Sequence, residues 1–314
     1  MNGSKIKVLV TGGLGNLGSW ITDHLAAQPA YEVTVLANKD RELMISHPFN
    51  RLFCDLTDAE ALKSCLANRS FDHIIHLASV NDTFAENYPE LSLRVNAGGT
   101  RNLLMAVSAM PLKKFIYLST FHIYGKEEGL IKETDAPCPL NDYSITHYFA
   151  ELYIRMVGSR TGIPWIIFRL SNSYGCPKDR NSNKWYLLFN DLCRQAMEQK
   201  KIVLKTNGRL LRDFIAMEDV CNAVQLMMEK ENLCKETFNL GSGKAITLLD
   251  VAREIGAAYN EEFGVQLPVQ VNEADTNNYP ISLSFNTDKL KQVISFAPKS
   301  RFREEARKIF SMLG

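Results

Sequence analysis

Thr11-Gly12-Gly13-Leu14-Gly15-Asn16-Leu17-Gly18 is the stretch on which the reading of this chain turns. It follows the apolar run Ile6-Lys7-Val8-Leu9-Val10 and leads into a pattern of helical period from Leu17 to Ala27. Glycines at 12, 15 and 18 permit a tight turn, close approach of backbone to a pyrophosphate, and close packing of helix on sheet. The helix start adds unpaired N–H groups and the positive end of its dipole. Gly12, Gly15, Asn16, Leu17 and Gly18 are therefore candidate contacts to a dinucleotide. Glycines also serve ordinary tight turns, and it is the strand–turn–helix context that favours the dinucleotide.

Beyond the turn, short β-branched runs alternate with helical patterns. The runs are Val33–Leu36, Arg51–Phe53, His73–Leu77, Phe115–Leu118 and Trp165–Phe168, with helical stretches near 58–67, 90–109 and 145–160 between them. Strands apolar on both faces, separated by helices, predict a doubly wound parallel sheet covered on both sides. After Arg169 the texture changes. Residues 171–185 read as a loop, followed by helices near 187–199, 218–229, 247–262 and 301–312. Phe214-Ile215 and Thr237–Leu240 read as more of the α/β layer. The expected division is a dinucleotide-binding domain of 1–170 plus about 213–242, and a smaller α/β substrate domain of about 171–212 and 243–314.

The chain has 314 residues and a formal net charge of +1, with Lys and Arg scattered in pairs at most. No field of one sign invites nucleic acid or an anionic membrane. No apolar run approaches the roughly 20 residues that span a bilayer, and the polar start, Met1 to Lys7, carries no signal-peptide pattern. Seven cysteines without a CxxC pair read as reduced thiols of a cytoplasmic protein, with no metal site.

At the end of the second strand, Ala37-Asn38-Lys39-Asp40-Arg41 stands where a carboxylate would hold the adenosine ribose hydroxyls. Without that carboxylate a 2′-phosphate is not repelled, and Lys39 or Arg41 could pair with it. Both are equally well read as solvated loop charges. The cofactor expected is NAD or NADP, leaning to NADP, with Asn38 among its contacts.

Further motifs follow in order: Asp55-Leu56, His76-Leu77-Ala78-Ser79, Val95-Asn96-Ala97-Gly98-Gly99-Thr100, and Leu118-Ser119-Thr120 with Tyr124-Gly125. Next come Tyr143 at a helix start, Arg169-Leu170-Ser171-Asn172-Ser173-Tyr174-Gly175, Arg212-Asp213-Phe214-Ile215 and Phe238-Asn239-Leu240-Gly241-Ser242-Gly243. This ordered set resembles the extended short-chain dehydrogenase/reductases, in the branch of NAD(P)-dependent nucleotide-sugar epimerases, dehydratases and reductases. The resemblance implies a Rossmann-like fold and a nucleotide-sugar substrate. It implies that Asp55 and Leu56 flank the adenine, and that Leu77, Ala78, Ser79 and Asn96 belong to the dinucleotide site. Thr120 and Tyr143 match the family's catalytic hydroxyl pair. A tyrosine there can exchange a proton with the sugar hydroxyl while hydride leaves its carbon, which the family's pattern implies is C4. Asn172 and Arg212 match positions that hold the sugar nucleotide's diphosphate, although Arg212 also reads as a structural ion pair. Val203 and Lys205 would lie beside the base, where the family often has an aromatic residue at Lys205. A homodimer through the helices near 90–109 and 145–160 is also implied; Tyr148 and Leu152 suit that interface and core packing equally.

Three departures matter. The family's Tyr, three residues, then Lys is here Tyr143-Ser144-Ile145-Thr146-His147. Position i+4 returns to the tyrosine's face of the helix. A lysine there holds the nicotinamide ribose and lowers the tyrosine pKa by its charge; a neutral histidine supplies only a hydrogen bond. His147 is thus a working substitute, a mark of an unusual step, or a sign of lost catalysis. The last alternative makes the chain a dinucleotide-binding regulatory protein. Asn272-Glu273-Ala274-Asp275 lacks the family's Arg before Gly-Asp. Finally, Phe121-His122 follows Thr120 where 4,6-dehydratases have Asp-Glu, which argues against standard dehydration. His122 is a candidate acid/base on the sugar, or equally a pocket-lining residue. What remains is oxidation, reduction or epimerisation of a ring hydroxyl.

Overall fold

A computed structural model describes residues 4–314 of the chain, the side chains of 82–84 excepted. Met1, Asn2 and Gly3, part of the polar start, lie outside the described residues. Seven strands form one parallel sheet: β1 (Ile6–Thr11), β2 (Tyr31–Ala37), β3 (Asn50–Phe53), β4 (His73–His76), β5 (Lys114–Thr120), β6 (Trp165–Leu170) and β7 (Glu236–Leu240). Their order across the sheet is β7-β6-β5-β4-β1-β2-β3. The order reverses between β1 and β4, so the chain leaves both strands on opposite sides of one crevice.

Alternation along each strand explains why both faces are apolar. Val8, Val10, Ile116, Leu118, Ile166 and Phe168 face one core, together with Ile21 and Leu25 of the helix Asn16–Ala26. Leu9, Phe115, Tyr117 and Ile167 face the other, against Leu103, Leu104, Ile154 and Val157. That second face is covered by the helix Asp142–Thr161. Tyr117 therefore points toward the helix that carries Tyr143 and His147.

Local chemistry fixes where this helix begins. Asn141 Oδ1 accepts from the Ser144 backbone N–H at 2.9 Å, and the Asn141 N–H donates to Ser144 Oγ at 3.3 Å. This reciprocal cap sets Tyr143 in the first turn. At the other end Gly162 adopts φ +79° and terminates the helix. The stretch expected as one helix near 90–109 is broken into Pro89–Ser92, a π-helical run Leu93–Gly99, and Thr100–Ala106.

A second core gathers Tyr174, Phe189, Leu192, Tyr259, Phe302 and Phe310, with Tyr174 and Phe302 stacked at 4.4 Å. The helices Leu188–Gln199, Leu248–Phe263 and Phe302–Leu313 enclose it. Phe214-Ile215, expected in the main layer, sits in the strand Leu211–Ala216 of a separate three-stranded sheet. It runs parallel to Asn172–Tyr174 and antiparallel to Ala245–Thr247. The reason is that β7 already occupies the edge beside β6. Among the described residues no helix is long and apolar enough to cross a membrane, and all seven cysteines are unpaired.

Candidate active site

The glycine turn has the shape its sequence predicts. Gly12 lies at φ +69°, and a Cβ added there would meet the Ala78 backbone nitrogen at 2.7 Å. Gly13 is needed too: its Cβ would fall 2.7 Å from Val35 Cγ2, a packing demand the glycine spacing alone does not reveal. The following helix is capped by Gly15, with no side chain on its first N–H groups and no acid in its first turn. A helix end left open in this way suits a phosphate.

A groove of about 630 Å³ runs from this turn to Tyr143 and His147, within the range of small-molecule sites. Gly12, Gly15, Asn16, Leu17, Gly18 and Asn38 line it, with Leu77 and Ser79. Asp55, Leu56 and Ala78 line the adjoining cavity at the β2 end. Asp55 Oδ1 is held by the Thr57 N–H and hydroxyl. Lys39 and Arg41 line both spaces. Asp40, the acid between them, turns away to Arg51 at 2.6 Å. Asn96 is buried and lines neither; its amide instead braces the loop by accepting from Val80 N–H at 2.6 Å and donating to Thr146.

Two loops meet over the groove. The Met44 N–H donates to the Lys178 carbonyl at 2.7 Å, and Arg41 lies 4.0 Å from Asp179. Lys178 in turn reaches Asp23 at 2.6 Å.

A second cavity, of about 250 Å³, continues from the groove toward the smaller core. Tyr143, Ser119 and Asn16 line both spaces, so the tyrosine stands where they join. Thr120, His122 and Asn172 line the second cavity alone. Asn172 Nδ2 donates to the Asp213 carbonyl at 2.9 Å, and Thr120 Oγ1 accepts from the His122 N–H at 3.2 Å. Tyr143 packs edge-on against His147 at 4.5 Å and His122 at 6.1 Å.

Val203, Lys205 and Arg212 do not line these spaces. Val203 N–H is spent on Gln195, and the Lys205 carbonyl accepts from Asn272. Arg212 pairs with Glu127 at 3.1 Å, while its buried Nη1 has no partner. Residues the sequence did not single out are Asn81, Lys184 and Tyr186 in the second cavity. They come from loops distant in sequence, and no periodic pattern marks them. Asn81 Nδ2 donates to Tyr186 Oη at 2.7 Å.

Three buried polar atoms around the junction lack partners: Asn16 Oδ1, Ser119 Oγ and His147 Nε2. Buried polar atoms are rarely left so, and three together fit a polar ligand. His147 Nδ1 lies 2.7 Å from Tyr117 Oη. Burial, with His122 nearby, lowers the His147 pKa to about 3, so the ring is neutral. The residues present thus fit a dinucleotide from glycine turn to Tyr143.

Comparison with known proteins agrees with this geometry. The model of the NAD dependent epimerase/dehydratase family matches residues 8–241. The dTDP-L-rhamnose 4-epimerase of Burkholderia thailandensis is 28% identical over 296 residues, 81% of each chain. The UDP-glucose 4-epimerase of Mycoplasma genitalium is 28% identical over 81% of this chain and 83% of its own. Among solved structures, the UDP-N-acetylglucosamine 4-epimerase from Methanobrevibacter ruminantium M1, in complex with UDP-N-acetylmuramic acid, superposes with a TM-score of 0.83. It is 23% identical and covers 99% of both chains. The UDP-glucuronic acid 4-epimerase of Bacillus cereus, in complex with UDP-glucuronic acid and NAD, has a TM-score of 0.80 at 22% identity, over 98% of this chain and 99% of its own.

Proposed function

Because the chain belongs to the NAD dependent epimerase/dehydratase family, we propose that it is an NAD(P)-dependent epimerase or oxidoreductase of a nucleotide-activated sugar, acting at C4. The observation that carries this reading is the position of Tyr143 at the junction of the two cavities. A sugar in the second cavity would meet the reactive end of a dinucleotide in the groove at that side chain.

Gly12, Gly15, Asn16, Leu17 and Gly18 would hold the pyrophosphate, Asp55 and Leu56 the adenine, and Tyr143 and His147 the nicotinamide ribose. Bound there, the nicotinamide supplies reversible hydride acceptance. Tyr143 takes the proton of the C4 hydroxyl and later returns it, and Thr120 orients that hydroxyl by hydrogen bonding. His122, beside Tyr143, faces the same sugar from the turn after Thr120. Asn172 and Arg212 would hold the diphosphate, Arg212 by exchanging its Glu127 partner for phosphate oxygens. Val203 and Lys205 are assigned to the base. In this reading residues 1–170 with about 213–242 bind the dinucleotide, and 171–212 with 243–314 bind the sugar nucleotide.

Two finer assignments belong with it. NADP is accepted as well as NAD and preferred, supported by Lys39 and Arg41 beside a β2 end without a carboxylate facing the site. The protein works as a cytoplasmic homodimer, supported by unpaired thiols and by exposed Leu93, Met105, Phe149 and Leu152 on neighbouring helices. Incubation with UDP-, dTDP- and GDP-hexoses, followed by proton NMR of the C4 configuration and by absorbance at the reduced nicotinamide band, tests the function. Conversion of at least one sugar supports it. Dinucleotide binding with no conversion of any sugar points instead to the regulatory reading.

A further inference from the structure

We infer that Tyr117 positions His147 as an uncharged Nε2–H donor, so that this chain grips the nicotinamide ribose with a neutral imidazole in place of a cation. The inference rests on the dinucleotide-binding reading above and concerns how that site is built.

The argument begins with the proton on Tyr117. This side chain is fully enclosed on the sheet face beneath the helix Asp142–Thr161, and burial raises its pKa well above the ordinary range. Its hydroxyl keeps its proton and must donate it somewhere. The hydrogen-bond partner the structure gives it is His147 Nδ1, at 2.7 Å. If the phenol donates to Nδ1, that nitrogen is bare and the ring proton of neutral His147 sits on Nε2. The reverse assignment, Nδ1–H to the phenol oxygen, strands a buried hydroxyl proton and leaves Nε2 an acceptor. A doubly protonated ring likewise strands the hydroxyl proton and adds a buried charge.

The surroundings offer that charge no compensation. On β5 the ring faces Tyr117, and beyond it His76 of β4 stacks on Tyr117 at 5.4 Å. His76 is itself buried and neutral, its pKa lowered to about 3 by burial. From its own helix His147 faces Tyr143, and from the turn after β5, His122. The carboxylate one turn along, Glu151, is taken by Arg169 through two hydrogen bonds of 3.1 and 2.8 Å. Among the described residues no other carboxylate acts on His147 to stabilise an imidazolium. Nε2, meanwhile, is buried and without a partner, in a residue that lines the groove. A ribose hydroxyl is the chemistry that would satisfy it.

The test uses the full chain with 15N-labelled histidine, the His147 signals being assigned by their loss in His147→Gln. We expect a bare Nδ1 and a protonated Nε2 from pH 5.5 to 8.5, and an Nε2 shift on saturation with NAD+. In Tyr117→Phe a mixture of tautomers should appear, and dinucleotide affinity by calorimetry should fall several-fold. Affinity should be flat over the same pH range and within about threefold of wild type in His147→Gln, whose amide can donate in the same place. His147→Leu should lose about tenfold, the worth of one such bond. A protonated Nδ1 in the wild-type chain overturns the inference, as does an affinity step near pH 6.5 that His147→Gln abolishes. The tautomer is read without any ligand, so absent calorimetric binding of NAD+ and NADP+ would sink the dinucleotide reading separately.

Discussion

Arg169 donates through Nε and Nη2 to the two carboxylate oxygens of Glu151, with both side chains almost wholly buried. The pair ties β6 to the middle of the helix that begins at Tyr143. Its geometry is the planar, two-point kind that only arginine provides. Removing one partner leaves the other charge stranded. Glu151→Ala should therefore destabilise the fold by about 3–5 kcal/mol, read as a lower midpoint in urea. An apolar pair, Glu151→Leu with Arg169→Met, should recover much of that loss. If the single variant unfolds at the wild-type midpoint, the pair is not what holds this helix.

Tyr143→Phe keeps the ring and removes the proton. Turnover should drop about 10²–10⁴-fold, the range typical of lost general acid/base catalysis. Dinucleotide affinity should fall no more than about tenfold, the worth of the one ribose bond the hydroxyl makes, since the glycine turn and His147 are untouched. Steady-state rates on the converted sugar, set beside calorimetric binding, separate the two effects; equal rates in variant and wild type would remove Tyr143 from the mechanism.

Gly12→Ala adds a methyl where the backbone of Ala78 already stands, at a φ that L residues rarely adopt. The neighbour is backbone, so no rotamer change relieves the overlap. Dinucleotide binding should weaken at least tenfold, measured by fluorescence of the reduced cofactor. Wild-type affinity would mean that the turn is not the cradle.

Acid should destabilise the protein through three histidines. Burial lowers His73 to about 4 and His76 and His147 to about 3, against about 6.5 in an unfolded chain. Below that value the unfolded state binds more protons than the folded one. The stability these groups contribute is thus fully present above pH 6.5 and lost as pH falls toward their folded values. At pH 5 each costs about 2 kcal/mol. Urea midpoints at pH 7.5, 6.0 and 5.0 should fall in that order, and His76→Asn should flatten the trend by about a third.

Lys39→Ala with Arg41→Ala should raise the dissociation constant for NADP+ more than tenfold while leaving that for NAD+ within about threefold. Each lost phosphate contact is charge-assisted, whereas NAD+ offers those side chains no phosphate. Equal losses for both dinucleotides would show that the two residues act on the shared part of the ligand, or on the loop.

Much of this site can be read directly from residue order. The glycine turn, the alternation of apolar strands and the placement of Tyr143 at a helix start are local signals, set within one or two turns of chain. Other features depend on contacts that no local pattern encodes. Gly129–Ile131 pairs with Leu283–Phe285 across more than 150 residues, and each strand is too short to show a period. The π-helical run Leu93–Gly99 has the composition of an ordinary helix. Asn81 and Tyr186 meet only because two loops fold over the same cavity. Tyr117 reads as one more apolar strand residue, and its tie to His147 emerges only when the sheet face and the helix are brought together.

The contact of Met44 with Lys178 and of Arg41 with Asp179 bears on time as much as on structure. A dinucleotide held in the groove beneath these two loops would leave more slowly than one bound in an open cleft. Such retention suits a reaction in which the electrons taken from a sugar are handed back to the same sugar. An enzyme that consumed fresh reduced cofactor at each round would be throttled by the same strap. Within the proposed reading, slow release would suit an isomerising enzyme better than a net reductase, and the dissociation rate of the dinucleotide, measured by stopped flow, separates the two.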